Sequence, residues 1–164
     1  MATIDMATFA GDGVNRPAKA WAVPSAYVIS REINLADVIT TKGSAIAASD
    51  VIQVLDLPAN TLVLGGWAQK TAAMTGTSTD LTFSVGVSGS TTNIVNAWDF
   101  DAAAVLAYGT MGSQANLIPS TSASTIDVTL NAFTGTLTGG KFVIGVVCVD
   151  TNKAIRNTVA QPQS

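Results

Sequence analysis

Leu81-Thr82-Phe83-Ser84-Val85-Gly86-Val87 alternates apolar with polar or small residues at every step. A period of two puts Leu81, Phe83, Val85 and Val87 on one side of an extended chain. The segment therefore reads as a strand with one face in a core and the other toward solvent or a partner. The same pattern recurs on both sides of it. Ile126, Val128, Leu130 and Ala132 alternate with Asp127, Thr129 and Asn131. Tyr27, Ile29 and Ile33 alternate with Val28, Ser30 and Glu32, and Arg31 interrupts the apolar side as a strand end, an edge or an interface position would.

Two further runs are apolar on both faces: Asp50 to Leu57, stopped by Pro58-Ala59-Asn60, reads as a buried strand and its turn, and Phe142 to Val149 as a central strand. Thr61 to Ala72 forms a long strand whose Gly65-Gly66 pair marks a bulge or the close approach of another backbone, with Trp67 beside it. Val105 to Thr110 is a short strand. Ser88 to Asn93 has loop chemistry, and Ile94 to Val105 has room for a helical turn around Trp98, Phe100 and Ala102-Ala103-Ala104. Thr134 to Gly140 is dominated by turn residues. The pattern is all-β: seven to eight strands separated by turn signals, without a long helix, as in an antiparallel β-sandwich of jelly-roll-like form. This body spans 25–150. An extended N-terminal arm, 1–24, precedes it, punctuated by Gly11-Asp12-Gly13, Pro17 and Pro24, and a polar tail, 151–164, follows.

Charged residues make up 12 % of the chain, about half the ~25 % of ordinary soluble domains, while mean hydropathy is positive at +0.39. A soluble protein with this balance covers itself with Ser, Thr, Asn and Gly, hides apolar surface against partners, or does both. The net charge is −3 and the eight basic residues are scattered, so no patch tracks a phosphate backbone and nucleic acid is not an expected partner. The body carries nine acids against four bases, and the tail contributes Lys153 and Arg156. Met1 to Met6 has neither the basic region nor the apolar stretch of a signal peptide, and no apolar run approaches the ~18 residues of a membrane helix. The expectation is synthesis in a cytoplasm and no membrane partner.

Chemistry is hard to find. The chain has no histidine, which removes the Ser-His and Cys-His nucleophile pairs, and its one cysteine, Cys148, sits in an apolar run as a buried inert thiol would. One cysteine and no histidine cannot build a zinc site. Asp99 and Asp101 flank Phe100, but a calcium loop needs six or more oxygens, so they read as a solvated acidic loop. Asp50, Asp56, Asp80 and Asp127 offer no marked glycosidase-style pair, and Gly139-Gly140 lacks the Gly-Lys-Ser/Thr of a phosphate loop. No catalytic, cofactor-binding or metal-ligating residue is assigned, and no enzyme activity is expected. What stands out is aromatic. Phe9, Trp21 and Val23 in an otherwise irregular arm anchor it either to its own body or to a neighbour. Together with Arg16, Arg31 and Trp67 they are the candidate protein-interface residues. Trp21, Trp67 and Trp98 could instead build a sugar-stacking platform, though core and interface packing is the commoner use of tryptophan.

The opening Met1-Ala2-Thr3-Ile4-Asp5, the run Asp50 to Thr61, Gly65-Gly66, the Leu81 to Val87 alternation and the closing Phe142 to Asp150 cover about two thirds of the chain together with their neighbouring strands. In overall pattern they resemble small head structural proteins of tailed phages, the capsid decoration or cement proteins. The resemblance implies a virion component made in the host cytoplasm. Such proteins sit on the outside of the capsid, often as homotrimers, and grip the major capsid protein or each other with terminal arms. Two other classes stay open: a receptor- or carbohydrate-binding module of a head fibre or tail tip, motivated by the tryptophans and the polar loops 88–98 and 112–124, and an enzyme of unrecognised type using carboxylates. The residues by themselves lead as far as a structural binding module.

Overall fold

The computed structural model describes residues 3–5, 26–101, 106–108 and 121–151. Nine strands and one short helix run through them: β1 (Thr3–Asp5), β2 (Ala26–Asn34), α1 (Leu35–Lys42), β3 (Val51–Leu57), β4 (Thr61–Gly76), β5 (Thr82–Val87), β6 (Ser90–Asp99), β7 (Leu106–Tyr108), β8 (Ser124–Leu130) and β9 (Leu137–Asp150). They form two sheets, ordered β1-β3-β8-β5-β6 and β2-β9-β4-β7.

The pairings are nested. β5 pairs with β6, β4 with β7, β3 with β8 and β2 with β9, all antiparallel. The chain from β2 to β9 is thus one long hairpin folded over on itself, and the added β4–β9 and β5–β8 pairings close it into the two sheets of an eight-stranded jelly roll. β1 is additional, and it pairs parallel with β3 at the edge of the five-stranded sheet.

The strands form where the alternation is read. Phe83 and Val85 on β5, with Val128 and Leu130 on β8, are fully buried against Phe142, Ile144, Val146 and Cys148 of β9. At the centre, Phe83, Trp98, Phe100 and Phe142 pack with ring centroids 5.0–6.3 Å apart, in tilted and edge-on arrangements that suit the aromatic quadrupole. Gly65-Gly66 acts in both of the ways expected of it. The register of β4 against β9 shifts between Val63 and Gly65, and a Cβ on Gly66 would strike the Gly145 carbonyl and the side chains of Ile94 and Val146.

Besides β1, a strand inside the span expected as an irregular arm, and Leu137 to Gly140, strand where turn was expected, two further segments differ from the sequence reading. β6 begins at Ser90 and continues to Asp99, so Ser90 to Asn93 is strand rather than loop and Trp98 lies on a strand, not a helical turn. Its alternation is disrupted because the register against β5 shifts twice and Ala97 takes a positive φ of 47°. The alanine run Ala102-Ala103-Ala104 lies outside the described residues. The second difference is α1, which the sequence reading passed over. Asn34 Oδ1 accepts the Ala36 N–H at 3.2 Å, Asp37 sits in the first turn, and Gly43, at φ 71°, ends the helix in the left-handed conformation. Leu35 and Val38 insert into the core. The loop after α1 is pinned by Asp50, 2 % exposed, which accepts the Ala47 N–H at 2.8 Å and pairs with the Lys42 ammonium. Lys42 also donates to the Ala45 carbonyl.

Candidate functional site

Most of the polar groups considered for chemistry have a structural use. Asp101 Oδ2 accepts the Leu81 N–H at 2.7 Å and Asp99 Oδ1 accepts the Asp101 N–H at 3.0 Å, so the two carboxylates build the turn after β6. Asp127 accepts from the Thr125 hydroxyl at 2.6 Å. Ser84 Oγ accepts from Asn131 Nδ2 and from the Ala97 N–H, tying β8 to the irregular stretch of β6. Among the described residues, no three acidic or thiol side chains are gathered as a metal ion would require. Burial pushes the Cys148 thiol up from its ordinary 9.0 to about 11, which leaves almost no thiolate near neutrality.

What the fold does present is a surface, on the outer side of the four-stranded sheet. Along β9, Phe142, Ile144, Val146 and Cys148 face the other sheet and are buried. The intervening Val143, Gly145, Val147 and Val149 must face outward. The register extends this face sideways: Val28 of β2 lies opposite Val147, and on β4 Leu62 lies opposite Val149 and Trp67 opposite Gly145. Directly paired residues share a side of the sheet. Leu64, left out of register by the β4 bulge, is 37 % exposed, and Val28 is 57 % exposed. Val28, Val147, Val149, Leu62, Leu64 and Trp67 thus form one uncharged strip across three strands. The charges stand at its far end, where Lys141 approaches Glu32 at 3.8 Å and Thr71 donates to Glu32 at 3.1 Å. A contiguous apolar strip bounded by polar groups is the ordinary form of a protein-contact surface.

Of the residues singled out from the sequence, Trp67 lies on this strip, with its indole flat over Gly145. Arg31 does not. It faces the gap between the two sheets, half-buried, and its Nη1 donates to the carbonyl of Val54, the residue bulged out of register on β3, at 3.5 Å. Phe9, Arg16, Trp21 and Val23 lie outside the described residues. Trp98 is a core residue, 5 % exposed, so it is unavailable for a sugar platform. The strip's aliphatic members were not anticipated. The signal is present in β9, whose apolar residues on both faces mark it as a central strand. β9 is indeed central in its sheet, yet only one of its faces is covered by the second sheet.

No protein-family model matches the chain, and no curated protein sequence does. Solved structures do. A chain of the capsid of Ralstonia phage GP4 superposes with a TM-score of 0.64 at 20 % identity, over 91 % of this chain and 98 % of that one. A chain of the cyanophage Pam1 capsid asymmetric unit gives a TM-score of 0.56 at 20 % identity, over 84 % of this chain and 92 % of that one. The likeness is one of fold. It spans most of this chain and of each matched chain.

Proposed function

We propose that this chain is a structural component of a phage particle: a decoration protein that attaches to the outer surface of the head and stabilises the shell through contacts with the major capsid protein. The observation carrying this reading is the near end-to-end likeness to a chain of the Ralstonia phage GP4 capsid. Two features of the molecule agree with it. The apolar strip on the four-stranded sheet supplies a contact surface with no competing chemistry, and many copies of a modest contact add up on a closed lattice. The acidic body, nine acids against four bases between residues 25 and 150, is suited to the outside of the shell rather than to the wall facing packaged DNA.

The oligomer in this proposal is a homotrimer, and the N-terminal arm 1–24 adds a second grip on the shell. Co-sedimentation with purified heads lacking the protein tests the assignment. Saturable binding at a fixed ratio of copies to shell subunits is expected, and full-length protein that stays in the supernatant would remove the assignment.

A further inference from the structure

The four basic residues of the body are all engaged within the chain. Arg31 Nη1 donates to the Val54 carbonyl at 3.5 Å, and the Lys42 ammonium meets Asp50 and the Ala45 carbonyl. Lys70 donates to the Phe100 carbonyl at 3.0 Å and stands 5.6 Å from the centre of the Phe100 ring. Lys141, at the surface, approaches Glu32. The exposed acids stand away from the strip: Asp37 is on α1, and Asp56, Asp80 and Asp99 are on the five-stranded sheet or the turn that leads into it. Among the described residues, the charges on the outer side of the four-stranded sheet are thus Glu32 and Lys141, which offset each other beyond the end of the strip.

From this distribution of charge we infer that the strip recognises an uncharged, apolar patch of the shell protein and holds it without ion pairs. The inference rests on the proposed function for the identity of the partner and adds the chemistry of the contact. A carboxylate or ammonium of a partner set down on Val28, Val147 and Leu64 would lose its water and meet no counter-charge, so the face selects against it. An apolar patch loses only water that neither surface holds well. Salt screens charges and leaves apolar burial intact, so the strip's share of the affinity does not fall as salt rises. Arg16, Lys19, Lys153 and Arg156, the remaining bases of the chain, lie outside the described residues. A neutral change on the strip separates its share from theirs.

Full-length parent and Val28→Ser/Leu64→Ser protein are titrated onto purified heads lacking the protein, at about 0.1 M and about 1 M sodium chloride, between which the screening length falls from about 10 Å to about 3 Å. The substitutions should weaken binding about tenfold, and by the same factor within about twofold at both salt concentrations. A loss that shrinks severalfold at high salt, or no loss at all, overturns the inference and leaves the parent's attachment, and with it the proposed function, standing. A parent that ignores the heads removes both. Without heads, the variant should keep the parent's native mass. A smaller assembly would give the strip to a second copy of the chain and overturn the inference as well. Should the double variant unfold, Val28→Ser alone, at a position 57 % exposed, is read in the same way with a smaller loss.

Discussion

The indole of Trp67 lies flat over Gly145, its partner across the β4–β9 ladder, in the space that any side chain at position 145 would need. A glycine in a central strand weakens it, and a large aromatic laid across the gap restores the lost packing. The pair therefore sets the shape of the outer strip: Gly145 is the dent, and Trp67 fills it level with Val147 and Val143.

Gly145→Ala should push the indole outward, cost about 1–3 kcal/mol of stability and shift Trp67 emission to longer wavelength. Gly66→Ala should cost more, because its Cβ meets the backbone carbonyl of Gly145, which cannot swing aside as a ring can. Urea denaturation of the two variants, with fluorescence on the first, compares them.

Asp50→Ala should be among the more damaging single changes. It removes the acceptor of the Ala47 N–H and leaves Lys42, itself mostly buried, without its carboxylate. A loss of roughly 2–4 kcal/mol is expected from thermal or denaturant unfolding. Asp56→Ala, at an exposed position of the next strand, should lie within about 0.5 kcal/mol of the parent.

Cys148 should resist iodoacetamide at pH 8 in the folded protein and react once it is unfolded. The pH dependence has a definite sign. With the folded thiol raised to about 11 from 9.0, both states are protonated below pH 9 and stability there is unaffected. Between pH 9 and 11 the unfolded chain loses the proton first, so folding should weaken by about 1.4 kcal/mol per pH unit from this group. Cys148→Ala should remove that slope, measured as the difference in denaturation midpoints between pH 8 and 10.5.

How much of this was readable in the sequence depended on whether one principle acted alone. β5 and β8 follow a clean period of two and pair with each other in unbroken register. β6 does not. Its register shifts against β5 carry Val95 and Trp98 onto a buried side without regular spacing, and with the nearby alanines that looked helical. α1 has only eight residues, two of them threonines, and its caps rather than its hydrophobic period mark it. The proposed contact strip is half legible. Trp67 stood out by type, whereas Val28, Leu62 and Leu64 became a surface only once pairing with β9 put them side by side. Arg31 shows the converse: a charge on an apolar face was expected at an edge, and β2 is an edge strand of its sheet, but the guanidinium turns to the Val54 carbonyl of the facing sheet.

Val28→Asp with Leu64→Asp tests the strip itself. Both side chains are exposed, so the double variant should unfold within about 0.5 kcal/mol of the parent per site. Its binding to purified heads should fall at least tenfold in a sedimentation assay. Unchanged binding would take the strip out of the contact.

The most direct measurement is a reconstruction of the phage particle proposed to carry this protein. The account predicts density for the jelly roll at symmetric positions on the outer surface of the head, with the Val28–Trp67 strip turned toward the shell. Density in the tail, on the inner wall or nowhere on the particle would contradict it.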